Sequence, residues 1–238
     1  MTIQLGMFAL ETPTMNKLDV SRCVVKPVNY KTASRFCNEY HYAGRTPSIV
    51  VSLGMYVDDI MAGVITYGIP PVPNVQRACG EEYRKNALEL NRLFIFDWCG
   101  RNSESWLIGQ SFRYLEENKP NYFILVSYSD TTQNHMGTIY QATNWLYTGF
   151  QKGRRVGYLV QGKERHNKYF NNTIGSNSPT KVIKHYPGAE ILYQKGKHRY
   201  VYFLGNRRQR RKMRKLLKWP VLPYPKREPQ KSTTTLTS

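Results

Sequence analysis

Regular patterning starts near residue 29. In NYKTASRFCNEYH (residues 29–41), Ala33, Phe36, Cys37 and Tyr40 recur at helical spacing, which predicts a short helix ending near His41. Gly44 and Pro47 break it. Two apolar runs follow, IVVSLGMYV (49–57) and IMAGVITYG (60–68), and the Asp58-Asp59 step between them signals a β-hairpin. The proline-rich stretch from Gly68 to Pro73 cannot continue a ladder and reads as loop. LELNRLFIFD (88–97) reads as a strand, Trp98 to Asn102 as a loop, and SESWLIGQSFRYLEENK (103–119) as a helix with Ser103 as its N-cap. NYFILVSY (121–128) is a buried strand, and GTIYQATNWLY (137–147) a second helix ending at Gly149. Shorter strand-like pieces lie at 155–160, 180–186, 190–193 and 199–204. This order predicts an α/β protein, with a central mixed sheet flanked by helices.

Charge changes the picture at the C-terminal end. The chain of 238 residues carries 35 Lys and Arg against 16 Asp and Glu, a formal net charge of +19. Such an excess repels itself in a compact fold and calls for an anionic partner. Nucleic acid is the first reading and an anionic membrane surface the rival. The excess concentrates between Asn206 and Lys218, in Arg207, Arg208, Arg210, Arg211, Lys212, Arg214, Lys215 and Lys218. Met213, Leu216 and Leu217 share one face at i, i+3, i+4, so this run can form a helix with a narrow apolar seam. A solvated surface helix would look similar, but no acid interrupts the run, and the seam is too narrow to favour a membrane. The expected division is a catalytic domain over 1–204 and a basic, DNA-binding helical extension over 205–238.

Hydrophobic residues make up 40% of the chain and aromatics 13%, enough to fill a core. Cys23, Cys37, Cys79 and Cys99 form no C-x-x-C pair, which points to reduced thiols rather than a zinc ribbon or disulfide scaffold. The N-terminus lacks a basic n-region, and no apolar run approaches a membrane span. A cytoplasmic protein without a membrane partner is expected.

Two constellations carry candidate chemistry. A loop that opens a helix exposes backbone N–H groups to anions, and Arg92, Arg101, Ser103 and Ser105 surround the loop before residue 103. Together they can hold a pyrophosphate or a phosphorylated donor. A capped helix beside structural arginines accounts for the same residues, since no Walker or G-x-G-x-x-G pattern is present. The second constellation is His41-Tyr42 with Asp130, His135 and Tyr140. Asp130 ends an apolar strand, where α/β proteins place chemistry. Asp and His serve as general bases or metal ligands, and Tyr as acid or ligand. Asp130 can equally cap the next helix. The zinc-deaminase signature and the D/N-P-P-Y/F tetrapeptide of adenine methyltransferases are both missing.

Four separated blocks resemble the Mom family of phage DNA adenine-modification proteins. They are HYAGR (41–45), ELNRLFIFDWCGRNSESWLIGQS (89–111), SYSDTTQNHMGTIYQATNWLYTG (127–149), and KHRYVYFLG with the basic run and PVLPYPK (197–226). The resemblance implies a GNAT-like acyltransferase fold and conversion of adenine N6 in DNA to an N6-carbamoylmethyl group, which protects phage DNA from host restriction in the host cell cytoplasm. It implies donor-phosphate contacts at Arg92 and Ser105. It places the reaction centre at His41, Tyr42, Asp130 and Tyr140, with iron on His41, Tyr42 and Asp130. The loop Cys99-Gly100-Arg101-Asn102-Ser103 departs from the acyltransferase Gly-x-Gly pattern. Acetyl coenzyme A and an aminoacyl-tRNA therefore both stand as donors, and tRNA joins double-stranded DNA as an expected partner. A homo-oligomer is also compatible. The rival readings are a non-catalytic nucleic-acid-binding regulator and an acyltransferase acting on protein or a small molecule.

Overall fold

The computed structural model describes residues 16–131 and 136–226, which fall into two compact units. The first holds residues 16–128, 137–149 and 199–226; the second holds 129–131, 136 and 150–198.

In the first unit a seven-stranded sheet runs in the order β1-β2-β3-β4-β5-β10-β6. Its strands are β1 (Cys23–Pro27), β2 (Val51–Val57), β3 (Ile60–Gly68), β4 (Ala87–Ile95), β5 (Ile124–Asp130), β6 (Leu146–Gln151) and β10 (Lys197–Phe203); the ends of β5, β6 and β10 belong to the second unit. β1 to β4 form an antiparallel meander. The β2–β3 turn is Asp58-Asp59, both at positive φ (47° and 65°), where short polar side chains are tolerated. β4 then pairs β5 in parallel, so the sheet is mixed as the pattern predicted.

Alternation along the strands divides the core. Leu88 and Leu90 of β4, Leu125 of β5 and Tyr200 of β10 point to one face, where α3 (Ser103–Asn118) buries Leu107, Ile108, Phe112 and Leu115. Ala87, Ile124, Val126 and Val201 point to the opposite face. That face is covered by the single turn α2 (Pro73–Gln76) through Val75, and by α7 (Arg207–Leu216) through Met213. α1 (Tyr30–Glu39), capped by Asn29, packs Ala33 and Phe36 against Met61 and Val64. The basic run is therefore helical, as predicted. Of its expected seam, Met213 is buried and Leu217 packs beside it, whereas Leu216 is exposed because the helix ends there. The segment after the helix continues across the same unit: Lys218 N–H donates to the Ala78 carbonyl, Leu222 N–H to Tyr147, and the Tyr224 hydroxyl to the Trp145 carbonyl.

Three local expectations are corrected. The N-cap of α3 is Asn102, in the left-handed region at φ 73°, and Ser103 is the first helical residue. The helix expected over 137–147 is the short α4 (Thr138–Ala142); Asn144 at φ 61° ends it, and Leu146 starts β6. Gly137, before α4, sits at φ 71°, and a Cβ there would lie 2.4 Å from the Tyr200 ring, so only glycine fits. The strand expected over 180–186 is the helix α6 (Pro179–His185), with Ser178 capping Lys181 N–H and Pro179 at the first position.

The second unit has its own sheet, β8-β7-β9, made of β7 (Arg154–Val160), β8 (Lys163–His166) and β9 (Glu190–Gln194). With α5 (Asn167–Ile174) and α6 it encloses a small core of Tyr158, Phe170 and Val182. All four cysteines are free thiols. No helix among the described residues is long and apolar enough to cross a membrane.

Candidate active site

The site grows from an irregularity in β4. Thr66 of β3 faces Arg92, but Tyr67 faces Leu90, so Asn91 is an extra, bulged residue. Its side chain accepts from the Thr66 hydroxyl (2.6 Å) and donates to the Ser48 carbonyl (2.8 Å), which fixes the bulge. Pairing with β5 stops at the same place: Ala87 to Leu90 match Ile124 to Ser127, and nothing in the ladder goes further. The two parallel strands part just beyond Leu90 and Ser127, opening a fork.

Tyr140 of α4 closes the base of the fork. The Ser127 Oγ lies 2.8 Å from the Leu90 carbonyl oxygen and 2.8 Å from the Tyr140 hydroxyl. The Ser127 hydroxyl is the donor to both, its proton shared between the Leu90 carbonyl oxygen and the Tyr140 hydroxyl oxygen. Tyr140 is buried, with its ring 5.1 Å from Tyr200 and 5.3 Å from Trp145. Burial pushes its phenol up to about 12, against the Ser127 bond, and the nearby Tyr42 and Glu89 add to the rise.

Arg92 stands on the other side of the bulge. Its guanidinium donates to the carbonyls of Asn91 (2.6 Å) and Arg45 (3.4 Å). Its buried Nε has no hydrogen-bond partner among the described residues. Burial lowers its pKa, as does the charge of Arg45. His41 lies in the turn after α1, almost fully buried, with Nδ1 accepting the Ala43 N–H (3.1 Å) and its ring stacked on exposed Tyr42 at 4.3 Å. Burial, then the charge of Arg92, lowers its pKa from 6.5 to about 4. The imidazole is neutral at physiological pH. The corner thus presents an aromatic pair beside fixed positive charge, suited to a flat neutral base or an anion.

This gives a stability prediction. The unfolded His41 takes up a proton near pH 6.5, the folded one only near 4, so its contribution is fully present above 6.5 and lost as pH falls to about 4. The loss is on the order of 2–3 kcal/mol. Thermal melts from pH 7 to 4 should show that decline, and His41→Gln should remove much of it; parallel curves for the two proteins would contradict the assignment.

The structure thus brings His41, Tyr42, Arg92 and Tyr140 into one electrostatic neighbourhood. The other proposed donor-binding residues, Arg101, Ser103 and Ser105, make local backbone contacts. The Ser103 hydroxyl is buried and lies 2.6 Å from the Gly100 carbonyl and 3.2 Å from that of Cys99. The Ser105 hydroxyl donates to the Asn102 carbonyl, and both the backbone N–H and the Nε of Arg101 donate to the Asn16 carbonyl. Asp97, Arg101, Ser103 and Glu104 line the adjoining depression. Asp130, in the second unit, ends β5 with its carboxylate 3.4 Å from Lys197 Nζ. His135 lies outside the described residues. Glu89, Arg45 and the bridging role of Ser127 escaped the sequence reading. A carboxylate inside the apolar run LELNRLFIF was the one available signal for Glu89.

Iron fits this donor set poorly. Arg92 places positive charge beside His41, one imidazole nitrogen is engaged by Ala43, and Asp130 is paired with Lys197. Among the described residues no three His, Cys, Asp or Glu are grouped to hold a metal ion. No step below runs through one.

Comparison with known proteins matches the Mom protein family model to residues 22–226. The chain belongs to the Mom protein family. A curated Mom relative, the methylcarbamoylase of Escherichia phage Mu, is 27% identical over 188 residues, which is 78% of this chain and 76% of that protein. Solved structures similar to this Mom family member include an N-acetyltransferase from Staphylococcus aureus Mu50, with a TM-score of 0.43 and 11% identity over 77% of this chain and 99% of that one. A spermidine N-acetyltransferase from Vibrio cholerae has a TM-score of 0.45 and 9% identity over 77% of this chain and 94% of that one.

Proposed function

We propose that this chain is a DNA-modifying transferase that converts adenine N6 in phage DNA to the N6-carbamoylmethyl form, acting in the host cytoplasm and shielding the DNA from restriction. The observation that carries the reading is the extent of the Mom match, from Arg22 to Lys226, which takes in the fork, the His41–Tyr42 corner and the basic helix together.

The chemistry is compatible with those parts. The N6 lone pair is delocalised into the purine, and N6 is stacked and paired in a duplex, so the base has to be turned out. The exposed Tyr42 ring backed by buried His41 offers a surface on which a turned-out adenine can stack. The new carbon–N6 bond is made from the N6 electron pair, releases one N6 proton, and expels the donor's carrier group with the electron pair of the carbon bond that breaks. Asp130 is the proposed acceptor, by its place in the family motif. Arg92 points fixed positive charge at the anionic part of the donor. The donor is proposed as acetyl coenzyme A or an aminoacyl-tRNA. Each carries its leaving group, a thiol or a ribose hydroxyl, on the acyl carbon, so the N6 attachment must afterwards shift to the methylene, and only the aminoacyl donor brings the nitrogen of the product's amide. α7 would hold the duplex.

The test is direct. Plasmid DNA co-expressed with the chain is digested and its nucleosides are separated by mass. A carbamoylmethyl-deoxyadenosine peak that disappears in the Asp130→Ala protein, with DNA affinity retained, supports the reading. An unmodified adenine pool beside well-folded protein overturns it in favour of a binding regulator.

A further inference from the structure

The second unit is strongly basic in its own right, and its charges are sorted. Between Phe150 and His198 stand ten Lys and Arg against two carboxylates, Glu164 and Glu190. Residues opposite each other in an antiparallel ladder share a face, and successive residues alternate. Glu164, Leu159 and Glu190 are one such row, so both acids stand on one face of β8-β7-β9. Val160 pairs with Lys163, Tyr158 with Arg165 and Arg155 with Tyr193, which puts these cations on the opposite face. That face is the one covered by α5 and α6: Tyr158 packs on Phe170 and Val182, and Arg155 donates to Asn177 Oδ1. The helices add Lys168, beside exposed Asn171 and Asn172, and Lys181 and Lys184 flanking buried Val182. One side of the lobe therefore carries these cations among polar groups, and both carboxylates lie on the other, with Arg154 as the cation of that face.

We propose that the helix-covered side of residues 150–198 is a second grip on duplex DNA, seated on the phosphate backbone. The proposal rests on the reading that the chain modifies DNA. Lysines mixed with small neutral polar groups suit phosphate and sugar oxygens. A membrane surface would call for a broad apolar face, which the scattered exposed Ile183 and Tyr193 do not make. Unpaired bases would call for several open aromatic faces in a row; Arg165 lies 4.9 Å over the Tyr169 ring, so of the two exposed rings Tyr169 and Tyr193 on this side one is already covered. Paired nucleic acid, read through its backbone, is the occupant that fits. Such a grip supplies affinity and register without reading sequence.

The experiment compares the full chain with a Lys163→Ala, Lys168→Ala, Lys181→Ala, Lys184→Ala variant. All four side chains are exposed, so none of them fills the core of the unit. Binding to a duplex is followed against salt. Each lost phosphate contact lowers the slope of log K against log salt by about 0.9, so a fall of about 2 to 4 is expected, with roughly 100-fold weaker binding at physiological salt. Glu164→Gln, Glu190→Gln, on the opposite face, should leave the slope unchanged. An unchanged slope in the lysine variant overturns the proposal, as does weaker binding to structured RNA with duplex binding intact. Lys168→Glu alone gives the same answer should the fourfold variant melt early. The readout needs no product: a reduced slope with no modified adenine in the wild type removes the proposed reaction and leaves the grip, while normal modification with an unchanged slope removes the grip alone.

Discussion

Replacing Arg92 by alanine should cut carbamoylmethyl-adenine formation about 100- to 1000-fold, the range for removing one fixed donor from a low-dielectric site, while DNA affinity stays the same. Three observations support so large an effect. The guanidinium is half-buried, so its charge is weakly screened. It is immobilised by two backbone carbonyls, so it is in place before the donor arrives. Its Nε is a buried donor with no partner among the described residues, a group that gains most from an incoming acceptor. Arg92→Lys should rescue little, because the ammonium is a compact point charge and lacks the planar fork that spans both carbonyls while aiming a further N–H. Product yield, duplex affinity and melting temperature are measured together. A variant that modifies adenine normally, or that loses DNA binding in step with product, would remove Arg92 from the chemistry.

The second large effect is on DNA affinity. Neutralising Arg207, Arg208, Arg211, Arg214 and Lys215 with glutamine should weaken duplex binding by roughly a thousandfold at physiological salt and flatten the salt slope by about 4. All five are exposed, and none has an ion pair among the described residues. Each released cation thus acts on phosphate rather than on the protein's own acids. Arg210 is excluded because it serves the fold: its guanidinium donates to the Gly205 carbonyl (2.7 Å) and pairs with Glu116 (3.5 Å). The helix survives the change because Asn206 still caps it and Met213 still anchors it. Duplex affinity measured from low to high salt checks this, and an unaltered slope would show that α7 faces something other than DNA.

Legibility in the sequence followed the range of the forces involved. The Asp58-Asp59 hairpin, the strand 88–95 and the helix 103–118 were readable because turn chemistry and periodicity act over a few residues. The helix expected over 137–147 is cut short because Tyr140 and Tyr147 keep helical spacing while Asn144, in a left-handed turn, separates them. The Ser178-Pro179 cap outweighed the apolar look of Val182 and Ile183. The second unit was invisible as a unit, since its elements are short and its core rests on three side chains. At the candidate site, the motif blocks proposed His41, Tyr42, Arg92 and Tyr140. The contact of Ser127 with Tyr140 and the closeness of Arg45 and Glu89 were not legible, because they depend on where β4 and β5 stop pairing.

That stopping point has a further consequence, in local opening. The meander β1–β4 is joined to the rest of the seven-stranded sheet by a parallel seam of four residue pairs. Parallel pairing is slightly weaker per residue than antiparallel pairing, and this seam is short. Amide exchange should therefore be fastest, within the sheet, on the unpaired side of β4 after Leu90. The proposed chemistry would sit where the backbone breathes most readily, which lets an extended donor enter between the strands without disturbing the hydrophobic core on either face.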